Sequence, residues 1–273
     1  MEVMNKIFYI ARVLCVVLFL SIAGKDVRAQ SIEAMNRVEV PSFTDIALKG
    51  NVTEGKAAEK INLLILGNSL CIHGAAPGMG WNYTAGMAAS SQEKDYVHLL
   101  CGKLRDKFCA DVNCRFSNLA EFERNPETYD LRKIDKLLEI EPGYVIIQLG
   151  DNVSDLDAFE KACARMIRRI GEKQSRAVII CATPFFASAP KNQMVWNICG
   201  ETSSLLVDFS HLKLSDPKNL AINEEGREDR TLWKVDGIGI HPGDYGMESI
   251  ARRLLIEIQA SRALQKKNNQ KSF

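Results

Sequence analysis

The sequence carries almost no net charge, with 35 Lys and Arg against 34 Asp and Glu for a formal +1 at pH 7. A near-neutral chain gives no electrostatic footprint for nucleic acid. The basic residues near the end, Arg262, Lys266, Lys267 and Lys271, read as a solvated helix end rather than a binding arm, with 264–273 as a polar basic tail. Metal-ligand spacing is missing too: Cys71 and His73 form one isolated pair, whereas zinc takes about four ligands. No Gly-Lys-Ser/Thr follows the glycines between Gly74 and Gly80, which excludes a phosphate loop. There is no internal repeat and no low-complexity segment.

The long apolar run "VLCVVLFLSIA" (Val13 to Ala23) follows Lys6 and Arg12 and precedes Val27-Arg28-Ala29, a small-x-small cleavage pattern. Residues 1–29 therefore read as a secretory signal peptide. The alternative is an uncleaved anchor, which the run is too short to serve, since a bilayer-spanning helix needs about 20 residues. Cleavage leaves a chain with one net negative charge and an odd number of cysteines, because Cys15 is lost from a total of 8. At least one thiol then stays free or pairs between molecules. Cys101, Cys163 and Cys181 sit where small hydrophobes would be buried, and Cys109 with Cys114 is the local pair most suited to a bridge in an oxidising compartment.

What the chain does have is core material: 46% of residues are hydrophobic and 25% charged, the composition of an ordinary globular domain. Residues 30–60 read as a lead-in with one strand-like stretch, "RVEV" (Arg37 to Val40), and 61–263 as a single domain. Within it, strands Ile61–Leu66, Val112–Ser117, Tyr144–Gly150, Ala177–Thr183 and Leu205–Phe209 alternate with helices near 94–108, 131–140, after Asp155, 191–199 and at the end. Near-continuous Val, Ile and Leu runs suit strands covered on both faces. The pattern predicts a three-layer α/β/α sandwich around a doubly wound sheet of about five parallel strands.

Ligands of such a sheet bind beyond the carboxyl ends of the strands, where three polar clusters fall. The first strand ends in Gly67-Asn68-Ser69, the third in Gly150-Asp151-Asn152, and "DGIGIHPGDYG" with Asp236 and His241 precedes the last helix. A serine hydroxyl is a weak nucleophile until a neighbouring base takes its proton, and neutral imidazole does so near pH 7. Asp236 then orients the His241 ring, while the Ser69 N–H and the Asn152 carboxamide serve as oxyanion donors. Each residue also has a plainer reading: Ser69 as a turn former, His241 as a helix-flank residue, Asn152 as a helix cap. His73, His98 and His211 read as structural or surface residues. Trp81 and Tyr83, in the long loop after the first strand, either stack on a sugar ring or pack on their own domain.

"LLILGNSL", "IIQLGDN" and "DGIGIHPGDYGMESIA" resemble, in order, the first, third and last blocks of the SGNH/GDSL hydrolases, across residues 61–258. "GMGWNYTAGMAASSQEKDYVHLL" (Gly78 to Leu100) resembles a secreted bacterial subset of that family. The resemblance implies the flavodoxin-like SGNH fold and a secreted esterase that cleaves carboxylic esters, such as acetyl groups on carbohydrates. It implies Ser69, His241 and Asp236 as catalytic residues, Ser69 and Asn152 as oxyanion donors, and no metal or cofactor. It also implies a small-molecule or glycan ester as partner, with no stable membrane insertion after cleavage and a periplasmic or extracellular location. The chain departs from the family in three places. Asn68 replaces the usual aspartate, and "SNLAEFE" (Ser117 to Glu123) stands in the second block without its glycine. Ile238 occupies the position three before the histidine, leaving Asp236 five before it or a backbone carbonyl in its role. These departures keep a second expectation open, a non-catalytic glycan-binding or envelope protein of the same fold.

Overall fold

Leu, Ile and Val run unbroken through the strands because successive side chains point to opposite sides and both sides are covered. The computed structural model describes residues 42–51, 58–212, 214–221 and 237–271, so the leader, "RVEV" and Asp236 lie outside the described residues. Among these residues one sheet contains β1 (Phe43–Leu48), β2 (Lys60–Gly67), β3 (Asp111–Asn118), β4 (Tyr144–Gln148), β5 (Val178–Ala182) and β6 (Leu205–Val207). Its order is β1-β3-β2-β4-β5-β6. Strands β2 to β6 are parallel, and β1 runs antiparallel to β3 at the edge. The helices are α1 (Tyr96–Phe108), α2 (Ala120–Arg124), α3 (Leu156–Lys173), α4 (Ala189–Thr202) and α5 (Asp244–Lys271).

Leu63 and Ile65 of β2 and Ile146 of β4 pack with Leu100 and Leu104 of α1 and Ile250 and Leu254 of α5. Leu64, Leu66, Val145 and Ile147 face the other way, onto Phe159 and Met166 of α3 and Val195 and Ile198 of α4. Each such side chain, taken fully out of water, contributes about 1.5–3 kcal/mol. This is the expected α/β/α sandwich, with three differences, one of them the short helix α2, which the sequence pattern did not call for. The lead-in supplies an antiparallel strand, β1, held by Arg115, whose guanidinium meets Asp45 through two 2.8 Å bonds. The helix expected over 131–140 is instead two 3-10 turns, Leu131–Ile134 and Leu137–Ile140.

The topology places the site. From β2 the chain crosses to β3 on one side and then passes over to β4 on the other, so the order reverses between β2 and β4. A crevice opens at such a switch point, beyond the carboxyl ends of the strands.

Candidate functional site

Ser69 stands at the β2 side of this crevice. Gly67 before it admits no side chain, since a Cβ there would lie 2.4 Å from Cys71 Cβ. Asn68, fully buried, makes the turn: its Oδ1 accepts from Leu70 N–H at 3.1 Å and its carbonyl from Cys71 and Ile72 N–H at 3.0 and 3.1 Å. The Ser69 carbonyl accepts from Met87 N–H at 2.8 Å, which ties the turn to the 85–89 loop. Among the described residues nothing accepts the Ser69 N–H.

Asn152 stands opposite, after β4. Its sequence reading as the cap of α3 is set aside, because Asp155 performs that role, accepting from Ala158 N–H at 3.0 Å. Asn152 Nδ2 instead donates to Glu123 Oε2 at 2.6 Å. Gly150, at φ +121, gives the turn a conformation that side chains rarely adopt, and its N–H donates to Glu123 Oε1 at 2.6 Å. Asp151 between them is a junction: Oδ1 accepts from Phe186 N–H at 2.7 Å, and Oδ2 from Asn68 Nδ2 at 3.0 Å and Gln148 Nε2 at 2.9 Å. Its carbonyl accepts from Lys191 Nζ at 2.7 Å.

His241 packs edge-on against the Phe186 ring, with centroids 5.1 Å apart. Its Nδ1 lies 2.8 Å from the Gly237 carbonyl. A carbonyl only accepts, so Nδ1 carries the proton and Nε2 keeps its lone pair. Burial holds the imidazole below its ordinary value; the Gly237 carbonyl and Asp151 pull upward, and His73 adds to the depression. Burial likewise lifts the Glu123 carboxyl above the usual carboxylate range, with Asp151 adding to the rise and the bonds from Asn152, Gly150 and Asn68 opposing it.

The loops after β2, β4 and β5 thus bring Ser69, Asn152 and Phe186 to one rim of the sheet, with His241 on Phe186. Among the described residues no hydrogen bond joins Ser69 to His241, and Nδ1 meets the carbonyl of Gly237, not a carboxylate. Glu123, Asp151, Phe186 and His73 were not singled out by sequence as site residues. Asp151 had a signal in its place in the cluster Gly150-Asp151-Asn152, and Glu123 in its place in the second block; Phe186 had none. Trp81 is completely buried, donates to the His73 carbonyl at 3.3 Å and stacks 4.3 Å from Tyr83; it packs on its own domain. Cys109 and Cys114 do not bridge: both thiols are free, Cys109 exposed and Cys114 buried. Cys114 lies on β3 pointing into the core shared with Cys71 and Cys101, away from the surface that Cys109 occupies at the end of α1. Among the described residues no group of three or more His, Cys, Asp or Glu is arranged to hold a metal, and no helix is long and apolar enough to cross a membrane.

No protein-family model matches the chain, and no curated protein matches its sequence. Solved structures do. A carbohydrate esterase family 2 enzyme with a carbohydrate-binding domain, from Corynascus thermopiles (Myceliophthora fergusii), is similar at TM-score 0.50 and 15% identity, over 77% of this chain and 69% of that one. A two-domain esterase active on acetylated mannans aligns at TM-score 0.47 and 17% identity over 72% of this chain, which spans about half of it, 48%. A structure whose name places it in the G-D-S-L family of lipolytic proteins, from Desulfitobacterium hafniense, aligns at TM-score 0.42 and 15% identity, over 71% and 97% of the two chains. At these identities what is shared is the fold, an α/β/α sandwich.

Proposed function

We propose that this protein is an exported serine esterase. The observation that carries the proposal is His241 with its Nδ1 engaged by the Gly237 carbonyl, which makes Nε2 the basic nitrogen of a ring packed on Phe186. Ser69 Oγ attacks the ester carbonyl as its proton passes to His241 Nε2. The resulting oxyanion accepts from the Ser69 N–H and from Asn152 Nδ2. Collapse breaks the C–O bond, and the leaving alcohol takes the proton back from His241. Water, activated by the same imidazole, then releases the acid and restores Ser69.

The absence of a Ser69–His241 hydrogen bond does not argue against this sequence of steps, since such contacts tighten when substrate is bound. The substrate class proposed is a short acyl ester of a carbohydrate, in keeping with the name of the neighbour at TM-score 0.50 and with the secretory leader read from residues 1–29. A periplasmic or extracellular location follows from the same leader.

Turnover of p-nitrophenyl acetate by the chain lacking residues 1–29 tests the proposal. Ser69→Ala is expected to lower kcat by at least about 10³-fold, because nucleophile and base act as a unit. Equal turnover by both proteins would leave the fold serving a binding role.

A further inference from the structure

The carboxylate of Glu123 is 1% exposed at the crevice, and it bonds to two of the loops that form the site. It comes from α2, directly after β3. Its Oε1 accepts from Asn68 Nδ2 at 3.2 Å, on the turn that presents Ser69. The same oxygen accepts from the N–H groups of Gly150 at 2.6 Å and Asn152 at 3.4 Å. Oε2 accepts from Asn152 Nδ2 at 2.6 Å. One side chain therefore spans the crevice between the loop after β2 and the loop after β4.

Burying a carboxylate is costly unless donors surround it. This one is surrounded by N–H donors, and an ionised carboxylate is acceptor-only. That chemistry settles which end of the Asn152 carboxamide faces it: the nitrogen, because the amide oxygen would meet another acceptor. One Nδ2 hydrogen is consumed by Glu123 and the other has no partner among the described residues.

Building on the esterase reading above, we propose that Glu123 is the positioning residue of the oxyanion site, holding Asn152 with its second N–H available to the substrate and fixing its distance from Ser69. It occupies the stretch "SNLAEFE", where the resembled family has a glycine that donates directly. In this chain that stretch contributes orientation in place of a donor. Glu123 itself touches no reacting atom.

The test is a double-mutant cycle on p-nitrophenyl acetate hydrolysis with Glu123→Gln, Asn152→Ala and the pair, beside Ser69→Ala. A glutamine keeps the shape but sets an NH2 group against Asn152, which turns the carboxamide round. Asn152→Ala alone is expected to lower kcat by about 10²–10³-fold, the usual loss of one oxyanion donor. Glu123→Gln is expected to lower kcat about ten- to a hundredfold with KM within about twofold, and to have no further effect in the Asn152→Ala background, since coupled residues do not add.

If thermal melts show that Glu123→Gln does not fold, Glu123→Asp carries the same comparison; it keeps the charge and withdraws the carboxylate from Asn152 by one methylene. Full activity of the Glu123 variant, while Ser69→Ala and Asn152→Ala lose theirs, overturns the positioning role and leaves the esterase standing. A Glu123 loss that adds fully to that of Asn152→Ala also overturns it. Undiminished turnover by Ser69→Ala overturns both.

Discussion

Asn68 donates its side-chain nitrogen to Asp151 across the switch-point crevice, Nδ2 to Oδ2, at 3.0 Å. The same nitrogen reaches Glu123 Oε1 at 3.2 Å on its other side, so one amide separates and joins two carboxylates. This accounts for the asparagine where the resembled family has aspartate. With Glu123 and Asp151 already in place, a carboxylate at 68 could still accept from Leu70 N–H with one oxygen, but its other oxygen would face two acceptors where the amide of Asn68 sets a donor.

Asn68→Asp is accordingly expected to destabilise the protein by about 2–4 kcal/mol at neutral pH, the scale of an uncompensated buried charge. An acid forced in among acids has its folded pKa raised above that of the unfolded chain. The penalty is therefore complete above the raised value and fades as pH falls below it. Urea denaturation at two pH values measures this, and a variant as stable as the parent at neutral pH would show that the two carboxylates do not depend on the amide between them.

The Phe186 ring contributes to the burial that holds His241 below its ordinary value. A depressed base stays neutral to lower pH, so the acid limb of kcat/KM is expected below about 6.5, the ordinary imidazole value. The charged or titratable groups acting on it are Asp151, which pulls upward, and His73, which pushes downward. Phe186→Ala opens the ring to water while keeping the backbone N–H that binds Asp151. The acid limb should then move to higher pH, toward the ordinary value. An unmoved limb in the pH–rate profile would mean that Phe186 does not contribute to the desolvation.

The central strands were legible because a strand buried on both faces writes itself as an unbroken apolar run, as in Leu63 to Leu66 and Tyr144 to Ile147. From them the carboxyl-end loops followed, and with these the positions of Ser69, Asn152 and His241 in the chain. Strand β1 was not legible: it is an edge, half exposed along its length, and FTDIAL mixes an acid and a threonine with its apolar residues. Leu131, Ile134 and Leu137 recur every third residue, which fits the three-residue repeat of 3-10 turns as well as a helical stripe. Glu123 was hidden for a different reason. In "EFER" its type suggests a solvated face, and only the convergence of Asn68, Gly150 and Asn152 from other parts of the chain makes it a buried acceptor.

The bond between His241 Nδ1 and the Gly237 carbonyl, 2.8 Å, also bears on Asp236, which the sequence offered as the partner of His241. A carboxylate in that role stabilises the imidazolium that forms in the transition state, and removing it from a serine triad costs about 10⁴-fold in kcat. A carbonyl orients the ring equally well but carries only a partial charge, so it contributes the correct tautomer and less of the charge stabilisation. With Nδ1 engaged by the main chain, Asp236→Ala is expected to lower kcat by less than about tenfold, far from the loss of a triad carboxylate. Steady-state kinetics on p-nitrophenyl acetate decides between them: a drop near 10⁴-fold, with folding intact, would return the third position to Asp236 and reduce the carbonyl to a bystander.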